Sequence, residues 1–438
     1  MRFCTAPRLL LTALLLVSSS DIVFAAQNST PKPLSKKQQT KLVEEYMQLD
    51  LRNSEAFTRS LAIVQELESV ALPRASDLKK WRKSLAKLDK KMHRTLEKKA
   101  GHHYYWDKKR LGFYVLGGDT KKPRGLLIGM HGGGVGSGDA TSSAGAYSSA
   151  ASALDLVAIF PEVLEKTECG WTDSGTEEWV MDLVDAAIRT WDIDPNMVFF
   201  SGHSMGGYGS WTLGGHHADR VAALAPSAGA PTPVYDKPGG VIVEIDTGII
   251  AGLRNIPMVV YQSIDDPQVP PDANQAAVKD IAKARDLWGG YENFEYWEVT
   301  GRGHGLPVGG MRALLDKIVG YVRNPLPEKI VWQPHLDWKH QFHWLYWEQP
   351  VYDAILIAEL DRKNNTIRLT SEKPLEGLWV LLDERMVNMN KEVIIEINGV
   401  ETNRAIPSPT LGALLMTTSG PDTELSFTSR LAIRDNVD

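Results

Sequence analysis

Apolar positions follow two different rhythms along this 438-residue chain. Before residue 100 they recur at spacings of three and four, which is typical of amphipathic helices. From residue 111 onward, short apolar runs alternate with longer helical patterns. The runs predict strands at residues 113–116, 126–130, 156–160, 198–200, 221–225, 258–261 and 294–299, with helices between them that include 180–191 and 311–322. Strands separated by helices favour a mostly parallel sheet covered on both faces.

The helical region before the sheet carries one apolar stripe. Its members are Leu78, Trp81, Leu85, Leu88, Met92 and Leu96, and residues 61–67 predict a preceding helix that could pack against it. Residues 79–99 contain ten Lys and Arg but only two acids, Asp89 and Glu97. A solvated face is the simpler interpretation of this charge. A contact surface for an anionic polysaccharide or a membrane lipid is the alternative.

Beyond the sheet, the proline-containing segment 323–327 predicts a linker. Apolar and polar residues alternate over 367–370, which predicts a strand. Apolar residues at 393, 395 and 397 lead into Asn398-Gly399, which predicts a second strand and a hairpin turn. We therefore expect a small domain resembling a β-sandwich. Four tryptophans fall within sixteen residues, namely Trp332, Trp338, Trp344 and Trp347. Such a cluster is usually core, and a sugar-stacking platform that contacts polysaccharide is the alternative.

The N-terminus has the pattern of a signal peptide. Arg2 and Arg8 precede the apolar residues 9–17, and cleavage is predicted after Ala25 or Ala26. This run is too short to span a bilayer, and no later segment predicts a spanning helix. We expect a secreted or periplasmic protein with four regions: a signal peptide at 1–25, a helical arm at 26–104, an α/β domain at 105–325 and a β domain at 326–438.

Composition narrows the classes of function. A net charge of −6 and a pI near 6.0 give no reason to expect nucleic-acid binding. Metal-ligand spacings such as Cys-x-x-Cys are absent from the sequence, so neither a metal nor another cofactor is expected. Cys4 would leave with the signal peptide, and the remaining Cys169 could form no intramolecular disulfide.

A candidate nucleophile follows the apolar residues 197–200. The run Gly202-His203-Ser204-Met205-Gly206 fits Gly-x-Ser-x-Gly, a sharp strand-to-helix turn that exposes the serine hydroxyl. The backbone N–H of Met205, at the start of a helix, would point towards a developing oxyanion. Upstream, the strand at 126–130 runs into His131-Gly132-Gly133-Gly134. Hydrolases with a Gly-x-Ser-x-Gly turn place their second oxyanion donor in a loop at this position. A tight turn and a flexible loop are the simpler structural alternatives.

A candidate acid and a candidate base come after later strands. The strand at 256–261 leads to Asp265 and Asp266, and the Asp-x-x-Val-Pro spacing favours Asp266, with Asp265 as the alternative. His304 lies between two glycines on a loop after the strand at 294–299, where it has little packing to do. The chain order Ser, Asp, His is the order of α/β-hydrolases. A neutral histidine acting as base predicts that activity falls below about pH 6 to 7.

Residues from about 105 to 325 resemble the secreted α/β-hydrolases of the prolyl-oligopeptidase-like and polyhydroxybutyrate-depolymerase-like esterase group. The motifs that carry the resemblance are His131-Gly-Gly-Gly, Asp194-Pro-Asn-Met-Val198, Gly202-His-Ser-Met-Gly-Gly-Tyr-Gly-Ser-Trp211, Asp266-Pro-Gln-Val-Pro270 and Gly303-His-Gly305. The resemblance implies an α/β-hydrolase fold, Ser204 as nucleophile, His304 as base and Asp266 as the acid. It also implies the amides of Met205 and Gly133 as oxyanion donors, with Gly132 nearly as good as Gly133.

The sequence thus predicts a serine hydrolase that acts through an acyl-enzyme on a small or polymeric ester. A serine peptidase of the prolyl-oligopeptidase-like type is one alternative, but the long repeat array of a propeller gate is absent from the sequence. A non-catalytic carbohydrate-binding protein on a hydrolase scaffold is another. Residues 231–250 form an insertion that could line or cover the acyl pocket, or be an ordinary surface loop.

Overall fold

The computed structural model describes residues 33–167, 170–237, 241–418 and 420–433. The predicted signal peptide and both cysteines lie outside the described residues. The helices are α1 (Lys36–Tyr46), α2 (Ser54–Glu68), α3 (Ala75–Met92), α4 (Ala140–Ser152), α5 (Thr176–Trp191), α6 (Met205–His216), α7 (Asp272–Trp288), α8 (Gly310–Ile318) and α9 (Leu411–Met416).

The strands fall into two regions of the chain. Those of the first region are β1 (His103–Tyr105), β2 (Phe113–Gly118), β3 (Gly125–Met130), β4 (Leu156–Pro161), β5 (Val198–His203), β6 (Ala223–Ser227), β7 (Pro233–Tyr235), β8 (Ile242–Ile245), β9 (Met258–Ser263) and β10 (Phe294–Val299). Those of the second are β11 (Lys329–Trp332), β12 (Gln341–Phe342), β13 (Leu345–Trp347), β14 (Leu356–Asp361), β15 (Thr366–Thr370), β16 (Leu378–Leu382), β17 (Val393–Ile397), β18 (Val400–Ala405) and β19 (Ser429–Ala432).

An eight-stranded sheet in the order β1-β2-β4-β3-β5-β6-β9-β10 forms the centre of the first region. β2 is antiparallel to both of its neighbours, and the strands from β4 to β10 are parallel to each other. This is the strand order of an α/β-hydrolase, so the predicted fold class is confirmed. The carboxyl ends of the parallel strands share one edge, where open α/β sheets bind ligands.

Helices cover both faces of this sheet. Alternate residues of each strand point to opposite faces, which explains why β3 to β6 are mostly apolar and almost fully buried. α4 and α8 pack together on one face, while α5, α6 and α7 pack on the other. All seven predicted strands are present. The strand predicted at 221–225 lies two residues further on, and α8 ends at Ile318 rather than at 322.

The helical arm makes contact with both other regions. The predicted apolar stripe lies on α3, with Leu85 fully buried, but the helix ends at Met92 and Leu96 follows in extended chain. His93 ends the helix in a β conformation, and its ring nitrogen Nδ1 lies 2.8 Å from Asp89 Oδ1. Asp89 also accepts a hydrogen bond from Arg189 of α5. On the other side, α2 packs against α9 near the end of the chain.

Two sheets form the C-terminal region, in the orders β11-β14-β15-β17-β18 and β12-β13-β16-β19. The hairpin predicted at Asn398-Gly399 is confirmed as the turn between β17 and β18. Trp332 of one sheet packs on Phe342 and Trp347 of the other, with ring centroids 5.6 and 5.9 Å apart. Three of the four clustered tryptophans are buried, and Trp338 is half-buried. Those three rings therefore belong to the core and are not available to stack on a sugar.

The predicted linker at 323–327 is tied down by a buried charge pair. Arg323 donates two hydrogen bonds to Asp422, at 2.7 and 3.0 Å. Arg220 of the first region also approaches Asp422, at 3.1 Å. One continuous set of buried apolar side chains includes residues from the arm, the α/β sheet and the C-terminal sheets. The three regions therefore share a core.

Candidate active site

The turn between β5 and α6 has the geometry predicted for a nucleophile elbow. Ser204 has φ 60° and ψ −123°, a strained conformation for a residue with a side chain. Gly206 passes so close to β3 that a β-carbon there would lie 2.2 Å from the carbonyl oxygen of Met130. The turn therefore requires glycine at position 206. The turn presents the Ser204 hydroxyl at the carboxyl edge of the sheet.

Three side chains that are distant in sequence meet at this edge. His304 Nε2 lies 2.9 Å from the hydroxyl oxygen of Ser204, and His304 Nδ1 lies 2.7 Å from Asp266 Oδ2. The histidine side chain is 14% exposed and the aspartate side chain is fully buried. Ser204 is half-buried, so a substrate can reach its hydroxyl. The structure thus brings together the serine, histidine and aspartate singled out from the sequence.

Asp266 is held as a carboxylate by its surroundings. Burial alone would raise its pKa, but hydrogen bonds from the backbone N–H of Val269, from His304 and from the N–H of Gln268 outweigh burial and lower the pKa. An ionised Asp266 accepts the Nδ1–H of His304, which leaves Nε2 free to accept the proton of Ser204. The environment therefore selects the histidine tautomer that a general base needs.

The neighbouring Asp265 does something else. Its Oδ1 accepts hydrogen bonds from the backbone N–H groups of Gly301 and Gly303, at 3.0 and 3.4 Å, and from the hydroxyl of Ser263. These bonds fasten the loop that carries His304 to the end of β9. Between the two aspartates that the sequence offered, Asp266 is the one that contacts the histidine, and Asp265 fixes its loop.

His203 supports the same loop from the other side. Its Nε2 lies 3.2 Å from the backbone carbonyl oxygen of His304, and its Nδ1 lies 3.0 Å from the hydroxyl oxygen of Ser227. Burial, together with the nearby His304, lowers the pKa of His203 to about 4. A neutral His203 donates from Nε2 to the carbonyl and accepts from Ser227. Sequence reasoning assigned His203 only to the turn and did not single out Ser227.

The glycine-rich loop after β3 passes directly over the nucleophile. A β-carbon at Gly132 would lie 3.1 Å from Cβ of Ser204. Gly133 has φ 147°, and a β-carbon there would lie 2.5 Å from the carbonyl oxygen of Ser137, so this position requires glycine. His131 fixes the loop, because its Nδ1 lies 2.8 Å from the carbonyl oxygen of Gly132 and its Nε2 accepts from the N–H of Val163.

The Met205 amide lies at the first position of α6. Amides in the first turn of a helix have no partner within the helix and carry the positive end of its dipole. Met205 follows Ser204 directly, and Gly132 approaches the Ser204 side chain from the loop after β3. Both Gly132 and Gly133 stay candidates for the second oxyanion donor.

The insertion at 231–250 forms the hairpin of β7 and β8, which pairs in an antiparallel ladder and packs against α7. The tip at 238–240 lies outside the described residues. Burial raises the pKa of Tyr208 to about 12, with further contributions from Tyr235, Asp272 and Asp266. Tyr235 belongs to the hairpin and Tyr208 lies one helical turn after Ser204. The hairpin is therefore near the rim of the candidate site.

No group of three or more His, Cys, Asp or Glu side chains in residues 33–433, outside the gaps, is arranged to hold a metal ion. Within the same ranges, every helix is too short or too polar to cross a bilayer.

Comparisons with known proteins find likeness only to solved structures. No protein-family model matches the chain, and a search of curated proteins finds no match. A thermostable esterase superposes on 51% of this chain and 62% of its own length, with 19% identity and a TM-score of 0.37. An acetyl xylan esterase from Aspergillus awamori superposes on 50% of this chain and 98% of its own, with 13% identity and a TM-score of 0.39.

A poly(3-hydroxybutyrate) depolymerase from Bordetella parapertussis superposes on 46% of this chain and 83% of its own, with 19% identity and a TM-score of 0.34. The strand order of the central sheet and the turn at Ser204 define the α/β-hydrolase fold of this chain.

Proposed function

We propose that the protein is a serine hydrolase that cleaves carboxylic esters through an acyl-enzyme. The observation that carries the proposal is the pair of contacts made by His304, at 2.9 Å to the Ser204 hydroxyl oxygen and 2.7 Å to Asp266. The strained backbone of Ser204 supports it, because such strain is concentrated at functional sites.

The proposed reaction has two halves. Ser204 Oγ attacks the carbonyl carbon of the ester while His304 Nε2 takes the hydroxyl proton, and Asp266 stabilises the resulting imidazolium. The amides of Met205 and of Gly133 or Gly132 would hold the negative oxygen of the tetrahedral intermediate. His304 then protonates the departing alcohol, leaving an acyl group on Ser204. In the second half a water molecule attacks the acyl group, with the same histidine as base, and releases the acid.

The proposal names an ester rather than an amide because an alcohol leaves readily, whereas an amine has to be protonated as it departs. The proposal includes export, on the pattern of residues 1–25, and a small or polymeric ester as substrate. The identity of the acyl group would follow from activity on a panel of short-chain aryl esters, acetylated sugars, feruloyl esters and prolyl amides.

The test combines a covalent probe with a single substitution. A fluorophosphonate probe should label the native protein, and Ser204→Ala should abolish labelling and lower ester turnover by several orders of magnitude. Ser201→Ala provides a matched control in β5, since the Ser201 hydroxyl is buried and donates to the Ala225 carbonyl; this variant should still be labelled.

Failure of the native protein to react with the probe would favour the non-catalytic binding protein. Cleavage of prolyl amides in preference to every ester would favour the peptidase. Full turnover by Ser204→Ala would overturn the proposed mechanism.

A further inference from the structure

A large cavity lies at the junction of the three regions, away from the candidate active site. Its volume is about 800 Å³, and its wall is built from the α1–α2 connection, the end of α3, one side of α5 and residues 338–341 of the C-terminal region. None of the triad residues lines it. Ligand-binding cavities of proteins have volumes of roughly 300–1,000 Å³, so this space can hold a molecule of two or three sugar rings.

The wall combines apolar side chains with paired charges, so hydrogen-bond donors and acceptors lie side by side on it. Two guanidinium groups are paired with carboxylates that also line the cavity, Arg52 with Asp182 at 2.6 Å and Arg220 with Asp185 at 2.5 Å. A sugar hydroxyl both donates and accepts, so it can bond to both members of such a pair. An apolar ligand would leave these groups without their water, which is costly.

Arg94 differs from the other cations of the wall. Among the described residues, no carboxylate lies within ion-pair distance of its guanidinium group, which instead lies 4.5 Å from the ring centroid of Trp106 and donates to the carbonyl oxygen of Tyr105. Arg94 also belongs to the strongly basic segment 79–99. A half-buried guanidinium group held in place by an aromatic ring, and lacking a counter-ion, is suited to a carboxylate of a ligand.

Two tryptophan side chains also line the cavity, and a second cavity adjoins it. Trp338 and Trp106 both line the cavity and both are half-buried, and aromatic rings are the usual stacking partners of sugar rings. A second cavity, of about 320 Å³, adjoins the first, since Arg52, Trp106 and Asp182 line both. The combined volume exceeds what a single sugar ring would fill, so the space fits an oligomer better.

We propose that this cavity is a non-catalytic binding site for an acidic oligosaccharide, in which Arg94 binds the carboxylate of a uronic acid and Trp338 stacks on a sugar ring. The site is separate from the proposed active site, and binding does not depend on the proposed hydrolysis. The chemistry of the wall selects the ligand: paired charges for hydroxyl groups, one unpaired guanidinium for one acid group, and aromatic rings for the faces of the sugar.

The test is titration of the full chain with three trisaccharides that each contain a single galacturonate, mannuronate or guluronate unit and two neutral sugars, followed by calorimetry and tryptophan fluorescence. At least one of these trisaccharides should bind saturably, and Arg94→Ala should weaken that binding by about tenfold or more. Maltotriose, which is neutral, should bind at least about tenfold more weakly than the uronate, and Trp338→Ala should weaken both.

Matched controls separate this site from others. Arg312→Ala removes an exposed arginine from α8 and should leave binding unchanged, and so should Ser204→Ala. Circular dichroism and the melting temperature would show that Arg94→Ala is folded. Absence of saturable binding by all three trisaccharides, equal affinity for maltotriose, or unchanged affinity in both cavity variants would each overturn the proposal. So would sulfate competing as tightly as the uronate, since the sugar would then contribute nothing.

Discussion

At the scale of single residues, two adjacent aspartates have different tasks. Asp266 contacts the histidine, and Asp265 binds the backbone of the loop that carries it. The two side chains differ because they point in different directions from the chain that follows β9, so each carboxylate meets a different partner. Substituting Asp265 and Asp266 one at a time therefore measures separately how much activity depends on anchoring the loop and how much on orienting His304.

Substitution of each aspartate should give losses of very different size. Asp266→Asn keeps the shape of the side chain but no longer selects the Nδ1–H tautomer, and kcat should fall by roughly three to four orders of magnitude. Asp265→Ala removes the acceptor of two loop amides and of the Ser263 hydroxyl but leaves the contact between Asp266 and His304, and kcat should fall by about tenfold. Steady-state kinetics on an aryl ester measure both. A larger loss for Asp265→Ala than for Asp266→Asn would reverse the assignment.

Much of the candidate site could be predicted from local spacing, because a nucleophile turn, a strand end and a glycine-flanked histidine each leave a local pattern. The choice of Asp266 over Asp265 came from such a pattern. The anchoring role of Asp265 and the support of His203 by Ser227 could not be predicted, because each depends on segments that are distant in sequence. Only the folded chain brings those backbone groups together.

At the scale of elements, the elbow depends on the close packing of α6 against β3. A β-carbon at Gly206 would lie 2.2 Å from the carbonyl oxygen of Met130, and backbone on both sides leaves no flexible atom to give way. Gly206→Ala should therefore lower the free energy of unfolding by about 1–3 kcal/mol and impair fluorophosphonate labelling of the protein that remains folded.

Gly145→Ala is the matched control for this substitution. Gly145 is exposed within α4, and a β-carbon there would meet no atom within 4 Å. Alanine should stabilise the helix by roughly 0.5–1 kcal/mol. Urea unfolding of both variants measures the contrast, and equal stability of the two would contradict the packing described for the elbow.

Elements with a strong apolar period were predictable, and those without one were not. α4 is rich in Ala and Ser and has no wide apolar stripe, so its burial against β2, β3 and β4 leaves little trace in the sequence. In the helical arm the apolar pattern instead predicted more helix than the structure contains. The apolar stripe runs on to Leu96, but the helix ends at Met92, where the backbone of His93 adopts a β conformation. Leu96 is buried from an extended segment instead.

At the scale of the whole molecule, buried neutral histidines make stability depend on pH. Burial lowers the pKa of His203, His217 and His343 to about 4. Below the ordinary pKa of about 6.5, the unfolded chain binds protons at these residues and the folded chain does not. Stability is therefore full above pH 6.5 and falls as the pH drops towards 4, by roughly 2 kcal/mol for each histidine at pH 5.

Urea unfolding between pH 8 and pH 5 measures this dependence. His343→Asn should flatten it, because the asparagine amide nitrogen occupies the position of Nδ1 and can still donate to the carbonyl oxygen of Pro325 but does not titrate. Stability that stays constant from pH 7 to pH 5 would contradict the burial of these rings in a neutral state.

The charge pair between Arg323 and Asp422 restricts how this architecture could be recombined in evolution. Asp422 also faces Arg220, so one carboxylate of the C-terminal region compensates two guanidinium groups of the α/β region. Exchange of the C-terminal region for one without that acid would leave the buried Arg323 without a counter-ion, at a cost of about 3–5 kcal/mol, whereas Arg220 would keep Asp185. Residues 323 and 422 should thus be inherited together.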